Sequence, residues 1–223
     1  DYLRRLQRSE RGEYELTAAI NEFVKAESVR LIEFDGYWND IGFFWNYLQV
    51  NSFALESLAN DSREGLVEDG VVVKGKLVLG KGSVIRAPSR IEGPVFIGEN
   101  SVVGPNAFLR GGATIEDHCH VGSSEVKNSI LMSYSNAPHY SYVGDSVLCE
   151  DVNLGAGTTT ANLRFNDANI PVFDQKSGKK IDSKCRKLGC VIGAGTRVGI
   201  NASLNCGIAI GKKCRIYPHT YVP

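Results

Sequence analysis

Residues 79–121 read LGKGSVIRAPSRIEGPVFIGENSVVGPNAFLRGGATIEDHCHV. Every sixth position is aliphatic: Leu79, Ile85, Ile91, Ile97, Val103, Leu109, Ile115 and Val121, with Val73 extending the phase backward. The phase slips after Val121 and resumes weakly at Val143, Leu148 and Leu154. A second strict run follows at Ile192, Val198, Leu204, Ile210, Ile216 and Val222. Glycine often comes next, as at Gly80, Gly98, Gly155, Gly193 and Gly199. Period six matches neither an amphipathic helix nor a simple alternating strand. It matches a solenoid with six-residue edges, one aliphatic side chain per edge pointing inward and a small residue letting the chain turn. Stacked coils pair their backbone groups through parallel-strand hydrogen bonds. Each buried Ile or Leu stabilises by roughly 1.5–3 kcal/mol, so the strict sites suffice for a core.

Composition narrows the function. The chain has 223 residues, with 25 Lys+Arg against 25 Asp+Glu, so it carries no basic field to hold nucleic acid. Hydrophobic residues make up 43%, too many for disorder, yet no apolar run is long enough to span a membrane and no signal peptide is evident. Six cysteines (Cys119, Cys149, Cys185, Cys190, Cys206, Cys214) form no C-x-x-C pair. They read as reduced, mostly buried thiols of a cytoplasmic protein rather than zinc ligands or a redox pair. His118, His120 and His219 are not read as a zinc set.

Residues 1–60 lack the repeat. Arg11–Ile20 reads as an acidic lead into a helix with Thr17 as N-cap, Val29–Phe34 as a short strand, and Phe43–Ala59 as a linking helix. Asn60–Gly65 is a polar break. Two domains are expected, 1–60 and 61–223.

Chemistry is expected where the repeat loses phase. Residues 133–163 run SYSNAPHYSYVGDSVLCEDVNLGAGTTTANL, placing His139 between aromatic residues and adding Asn136, Asn153 and Asn162. Lys127 and Arg110 lie upstream. Such a set can position a phosphorylated sugar: Arg or Lys takes the phosphate, Asn reads hydroxyls, and His moves a proton near neutral pH. The bland alternative is a hydrogen-bonded loop histidine. A long insertion, 164–189, carries Lys176, Lys179, Lys180, Lys184 and Lys187 around a turn at Ser177-Gly178. It reads either as a charged, solvated hairpin or as a lid.

These motifs carry two resemblances. The six-residue pattern is the hexapeptide repeat and resembles the left-handed parallel β-helix of the hexapeptide acyltransferase superfamily; its hand follows from that resemblance. GEYELTAAI and GYWNDIG resemble the last part of a sugar-1-phosphate nucleotidylyltransferase domain, which implies the C-terminal part of a longer enzyme. There Asp40 matches a late aspartate that helps hold Mg2+, a role needing the rest of that domain.

APHYSYVGD and VNLGAGTTTAN are similar to the acetyltransferase domain of the bifunctional glucosamine-1-phosphate acetyltransferase/N-acetylglucosamine-1-phosphate uridylyltransferase family. The resemblance implies an acetyl-CoA-dependent N-acetyltransferase acting on glucosamine 1-phosphate or galactosamine 1-phosphate, within a pathway to UDP-N-acetylhexosamine. His139 would be the general base, taking a proton from the attacking amine. Tyr142, Asn153 and Asn162 would contact substrate, Lys127 and Arg110 would clamp its phosphate, and Ala194 and Tyr217 would contact the cofactor. A homotrimer with sites shared between subunits is also implied. The family has a lysine shortly after the residue matching Asn162; Ala168 stands there in this chain. The alternative function is a non-catalytic oligomerisation or regulatory β-helix of a nucleotidylyltransferase.

Overall fold

A computed structural model describes residues 2–10, 12–58, 60–175 and 177–223. Arg11, Ala59 and the insertion's Lys176 lie outside the described residues. Two compact units are resolved, Asp1–Trp38 and Asn39–Pro223, so the division falls ahead of the polar break at 60.

The first unit holds a 3-10 turn, Tyr2–Arg5, and helix α1, Leu16–Ala26. Thr17 is not the N-cap: Glu15 occupies that position and makes no capping bond through its side chain. Its carboxylate instead accepts a hydrogen bond from Ser9 Oγ at 3.2 Å. The strand expected over Val29–Phe34 does not form. Apolar, β-branched composition alone does not make a strand; a ladder partner is needed, and none among the described residues pairs with this segment. Leu31 and Ile32 stay 89% and 80% exposed.

The second unit begins with helix α2, Phe44–Glu56, which matches the expected linking helix. Asn46 in its first turn reaches back, its Oδ1 accepting the Phe43 N–H at 3.1 Å. The solenoid follows. Its first face is an eight-stranded parallel sheet running from Ser62–Arg63 through Leu77–Leu79, Val95–Ile97, Ala113–Ile115, Ile130–Leu131, Val147–Leu148 and Val191–Ile192 to Ala209–Ile210. The second and third faces belong to one larger sheet, because two long strands, His120–Lys127 and Asn136–Gly144, run through the corner that elsewhere separates them.

Register explains the phase slip. Leu79 pairs with Ile97 and Ile97 with Ile115, steps of 18 residues; Ile115 then pairs with Leu131 and Leu131 with Leu148, steps of 16 and 17. The edges Val121–Val126, Val126–Leu131 and Val143–Leu148 are each one residue short. Val126 and Leu131 therefore fill the core where the six-residue phase fails, both with no exposed surface.

Glycine turns the chain at some corners and other residues at the rest. Left-handed backbone falls on Gly82, Asn100, His118, Tyr134, Asp151, Gly195 and Lys213 between the first and second faces, and on Gly75, Gly112, Asn128, Asp145 and Gly207 between the third and first. The glycine after each aliphatic residue answers a packing demand. A Cβ on Gly80 would meet Gly98 O at 2.5 Å, and one on Gly193 would meet Lys212 N at 2.5 Å. Coils stack too closely there for any side chain. Inside the corners buried serines close the backbone account: Ser83 Oγ donates to Gly98 O at 2.6 Å and accepts the Ser101 N–H at 2.8 Å.

A second apolar cluster covers part of the first face. Trp45 and Leu48 of α2 pack with Ile130 and Val147 of the face and with Ile170, Val172 and Leu188 of the insertion. The insertion folds as an antiparallel hairpin, Pro171–Asp174 with Lys179–Asp182. It is anchored by apolar side chains, while Lys179, Lys180, Lys184 and Lys187 remain exposed.

Candidate active site

The strand Asn136–Gly144 sets the site. His139 and Tyr140 stand exposed at the corner between the second and third faces, where Tyr140 takes φ +49°. The ladder shifts register beside them: Ser123 pairs with His139, but Glu125 pairs with Tyr142. That bulge turns an otherwise core-forming strand outward at the imidazole. The backbone is held from both sides, with His139 O accepting Gly157 N–H at 3.1 Å and Ser141 Oγ at 3.3 Å. His120, half-buried on the second face, has its pKa lowered from 6.5, first by burial and then by the neighbouring His139 and Arg86.

Beyond the corner the side chains interlock. Asn162 Nδ2 donates to Tyr142 Oη at 3.1 Å and to Asp145 Oδ2 at 2.5 Å. Burial raises the Tyr142 phenol above its ordinary 10, so it stays a neutral hydroxyl across the physiological range. Lys127 Nζ donates to both oxygens of Asp145, at 3.1 and 3.0 Å, and the Asp145 side chain is only 5% exposed. Arg110 Nη1 bonds Glu125 Oε1 at 2.9 Å. Both expected phosphate-binding cations thus already hold a carboxylate. An ammonium has three donors, so Lys127 retains one for a further acceptor.

Tyr142 and Asn162 line an open cavity of about 1000 Å3, together with Arg164, Phe165, Asn205 and Tyr221. Phe165 is fully exposed at its rim. The cavity and His139 lie on either side of Tyr142 along the chain path.

Four of the expected residues are therefore joined by hydrogen bonds, ion pairs and register: Lys127 pairs across the ladder with Arg110, and Tyr142 and Asn162 share one bond. Asn153 is elsewhere, on the second face in register with Asn136 and Arg197. Ala194 sits at the corner between first and second faces, half-buried; Tyr217 follows the second face and is 79% exposed. Asp40 is exposed, and no group of three or more His, Cys, Asp or Glu able to hold a metal occurs among the described residues. Asp145 and Asn128 escaped the sequence reading. A signal was present: Asn128-Ser129 and Asp145-Ser146 recur one short coil apart, which stacks Asp145 over Asn128.

The six cysteines are all unpaired thiols. Burial pushes Cys119 and Cys190 up to about 12, which makes them packing residues rather than nucleophiles. Among the described residues no helix is long and apolar enough to cross a membrane.

Residues 94–124 match the family described as Bacterial transferase hexapeptide (six repeats). A bifunctional sugar-1-phosphate nucleotidylyltransferase/acetyltransferase of Sulfurisphaera tokodaii is 47% identical over 99% of this chain and 55% of its own length. A bifunctional protein GlmU of Methanocaldococcus jannaschii is 42% identical over 93% of this chain and 50% of its own. A GlmU of Bordetella parapertussis is 30% identical over 72% of this chain and 37% of its own. The chain spans about half the length of the archaeal relatives it matches.

Proposed function

The chain belongs to the hexapeptide-repeat transferases and corresponds to the C-terminal part of a bifunctional sugar-1-phosphate nucleotidylyltransferase/acetyltransferase, and from that premise we propose that it transfers an acetyl group from acetyl-CoA to the amine of a hexosamine 1-phosphate. The observation that carries the reading is a single strand presenting an exposed imidazole, His139, and, three residues on, a phenol bonded to Asn162 at the rim of an open cavity.

In this reading the hexosamine amine must be neutral to attack the thioester carbonyl. His139 accepts the proton lost as the C–N bond forms. The tetrahedral centre collapses, the C–S bond breaks, and the CoA thiolate leaves and is protonated. Lys127 and Arg110 face the phosphate, Tyr142 and Asn162 the sugar. Asn153, Ala194 and Tyr217 serve substrate or acetyl-CoA on the second face and its corners. A site using all of these draws on more than one protomer, consistent with a homotrimer. Asp40 and Mg2+ belong with nucleotidyl transfer, for which the relatives' names provide the motive, and the protein is proposed to work in the cytoplasm.

Thiol release from acetyl-CoA in the presence of glucosamine 1-phosphate or galactosamine 1-phosphate tests the reading. His139→Ala is expected to lower kcat by about 10²–10⁴, the usual worth of a general base, with the fold intact by circular dichroism. A folded oligomer that releases no thiol with either sugar would instead make the β-helix an assembly module.

A further inference from the structure

We propose that Asp145 is the positioning residue of the sugar-phosphate site and that helix α2 braces it from behind; this rests on the acetyltransferase reading. Asp145 occupies the corner between the third and first faces at φ +50°, a conformation unusual for a residue bearing a Cβ. Its side chain is almost wholly buried, and every oxygen is engaged. Oδ1 accepts Asn128 Nδ2 at 2.8 Å and Lys127 Nζ at 3.1 Å; Oδ2 accepts Lys127 Nζ at 3.0 Å and Asn162 Nδ2 at 2.5 Å. One carboxylate thereby sets the ammonium of Lys127 and the amide of Asn162, and through Asn162 the Tyr142 hydroxyl.

The support extends beyond the solenoid. Ser52 Oγ of α2 donates to Asn128 Oδ1 at 3.0 Å, which orients the Asn128 amide toward Asp145. Next to it Asn51 Nδ2 donates to Gly112 O at 3.0 Å, and Asn51 Oδ1 accepts Thr114 Oγ1 at 2.6 Å, fixing the helix against the same corner. The insertion closes from above, with Gly189 N–H on Asp145 O at 2.8 Å and Leu188 N–H on Asn162 O at 3.0 Å. A continuous path, Ser52–Asn128–Asp145–Asn162–Tyr142, therefore runs from α2 to the cavity rim. A buried carboxylate without this full set of donors is costly, so its retention in a strained corner needs all of them.

The experiment measures initial rates of thiol release by the full chain, varying each substrate in turn, for wild type, Asp145→Asn and Ser52→Ala. Asp145→Asn is expected to raise KM for the hexosamine 1-phosphate about tenfold or more while leaving KM for acetyl-CoA within about twofold. Ser52→Ala, which removes one hydroxyl outside the site, is expected to raise the same KM about two- to fivefold with the unfolding midpoint unchanged. Equal rises in both KM values, or a sugar-phosphate KM within about twofold of wild type, overturn the proposal. If Asp145→Asn does not fold, Ser52→Ala decides alone by the same criteria. A wild-type chain that transfers no acetyl group defeats the acetyltransferase reading itself, and this proposal falls with it; activity in wild type with unmoved variants defeats the positioning role only.

Discussion

His120 shows how one side chain's surroundings become a property of the protein. Its imidazole is half-buried, and burial, then the His139 and Arg86 charges, lower its pKa below 6.5. Between that lowered value and 6.5 the unfolded chain binds more protons than the folded one. The stabilisation from keeping His120 neutral is complete above pH 6.5 and is lost as pH falls through the lowered value. Urea midpoints are therefore expected to drop between pH 7.5 and pH 5, and His120→Gln to flatten part of the drop. An unchanged pH profile in that variant would show that the group is stabilised equally in both states. The same residue-scale logic separates the histidines. His118 lies at a left-handed corner and stacks on Tyr134 at 4.9 Å, whereas His139 stands exposed on a bulged strand.

Elements here are short, and what stabilises them is stacking. Most strands are two or three residues long and exist only as rungs. Two kinds of substitution probe this. Gly80→Ala would drive a Cβ into the carbonyl of Gly98 in the next coil, a backbone neighbour that cannot move aside. An overpacking cost of about 1–3 kcal/mol is expected. Trp45→Ala in α2 opens the cluster over the first face, where Trp45 is 6% exposed, and is expected to cost about 3–5 kcal/mol. Chemical denaturation of the two variants checks both. A neutral Trp45→Ala would mean that α2 does not contribute to the stability of the solenoid. The hairpin belongs to the same cluster through Ile170 and Val172, so its lysines decorate a packed element rather than a free loop. The sequence showed its lysines and its turn; that Ile170, Val172 and Leu188 anchor it on the outward side chains Ile130 and Val147 emerges only in the folded chain.

At the scale of the whole molecule, the compact units divide at Trp38 and Asn39. The segment before the division has exposed Val29, Leu31, Ile32, Phe34 and Trp38 and no regular structure. Proteolysis under native conditions is expected to cut within 28–38 first and to leave a resistant fragment beginning near Asn39, as mass spectrometry of a time course would show. First cuts inside the stacked coils, 62–163 or 190–222, would contradict the continuous stacking described above.

The solenoid was legible because its periodicity is a local, repeated demand: one aliphatic side chain per edge, set against a close-packed axis. The lapse of that demand marked the stretch in which His139 stands exposed and Tyr142 and Asn162 share a hydrogen bond. Asp145 was missed, since its recurrence one short coil after Asn128 does not reveal that Lys127 and Asn128, from the coil before, and Asn162, from the coil after, converge on its carboxylate. The strand expected at 29–34 failed for the complementary reason, as strand formation depends on a partner that composition does not name. Inward packing is written in the spacing of the chain; which polar groups meet is decided by register, and register exists only once the coils have stacked.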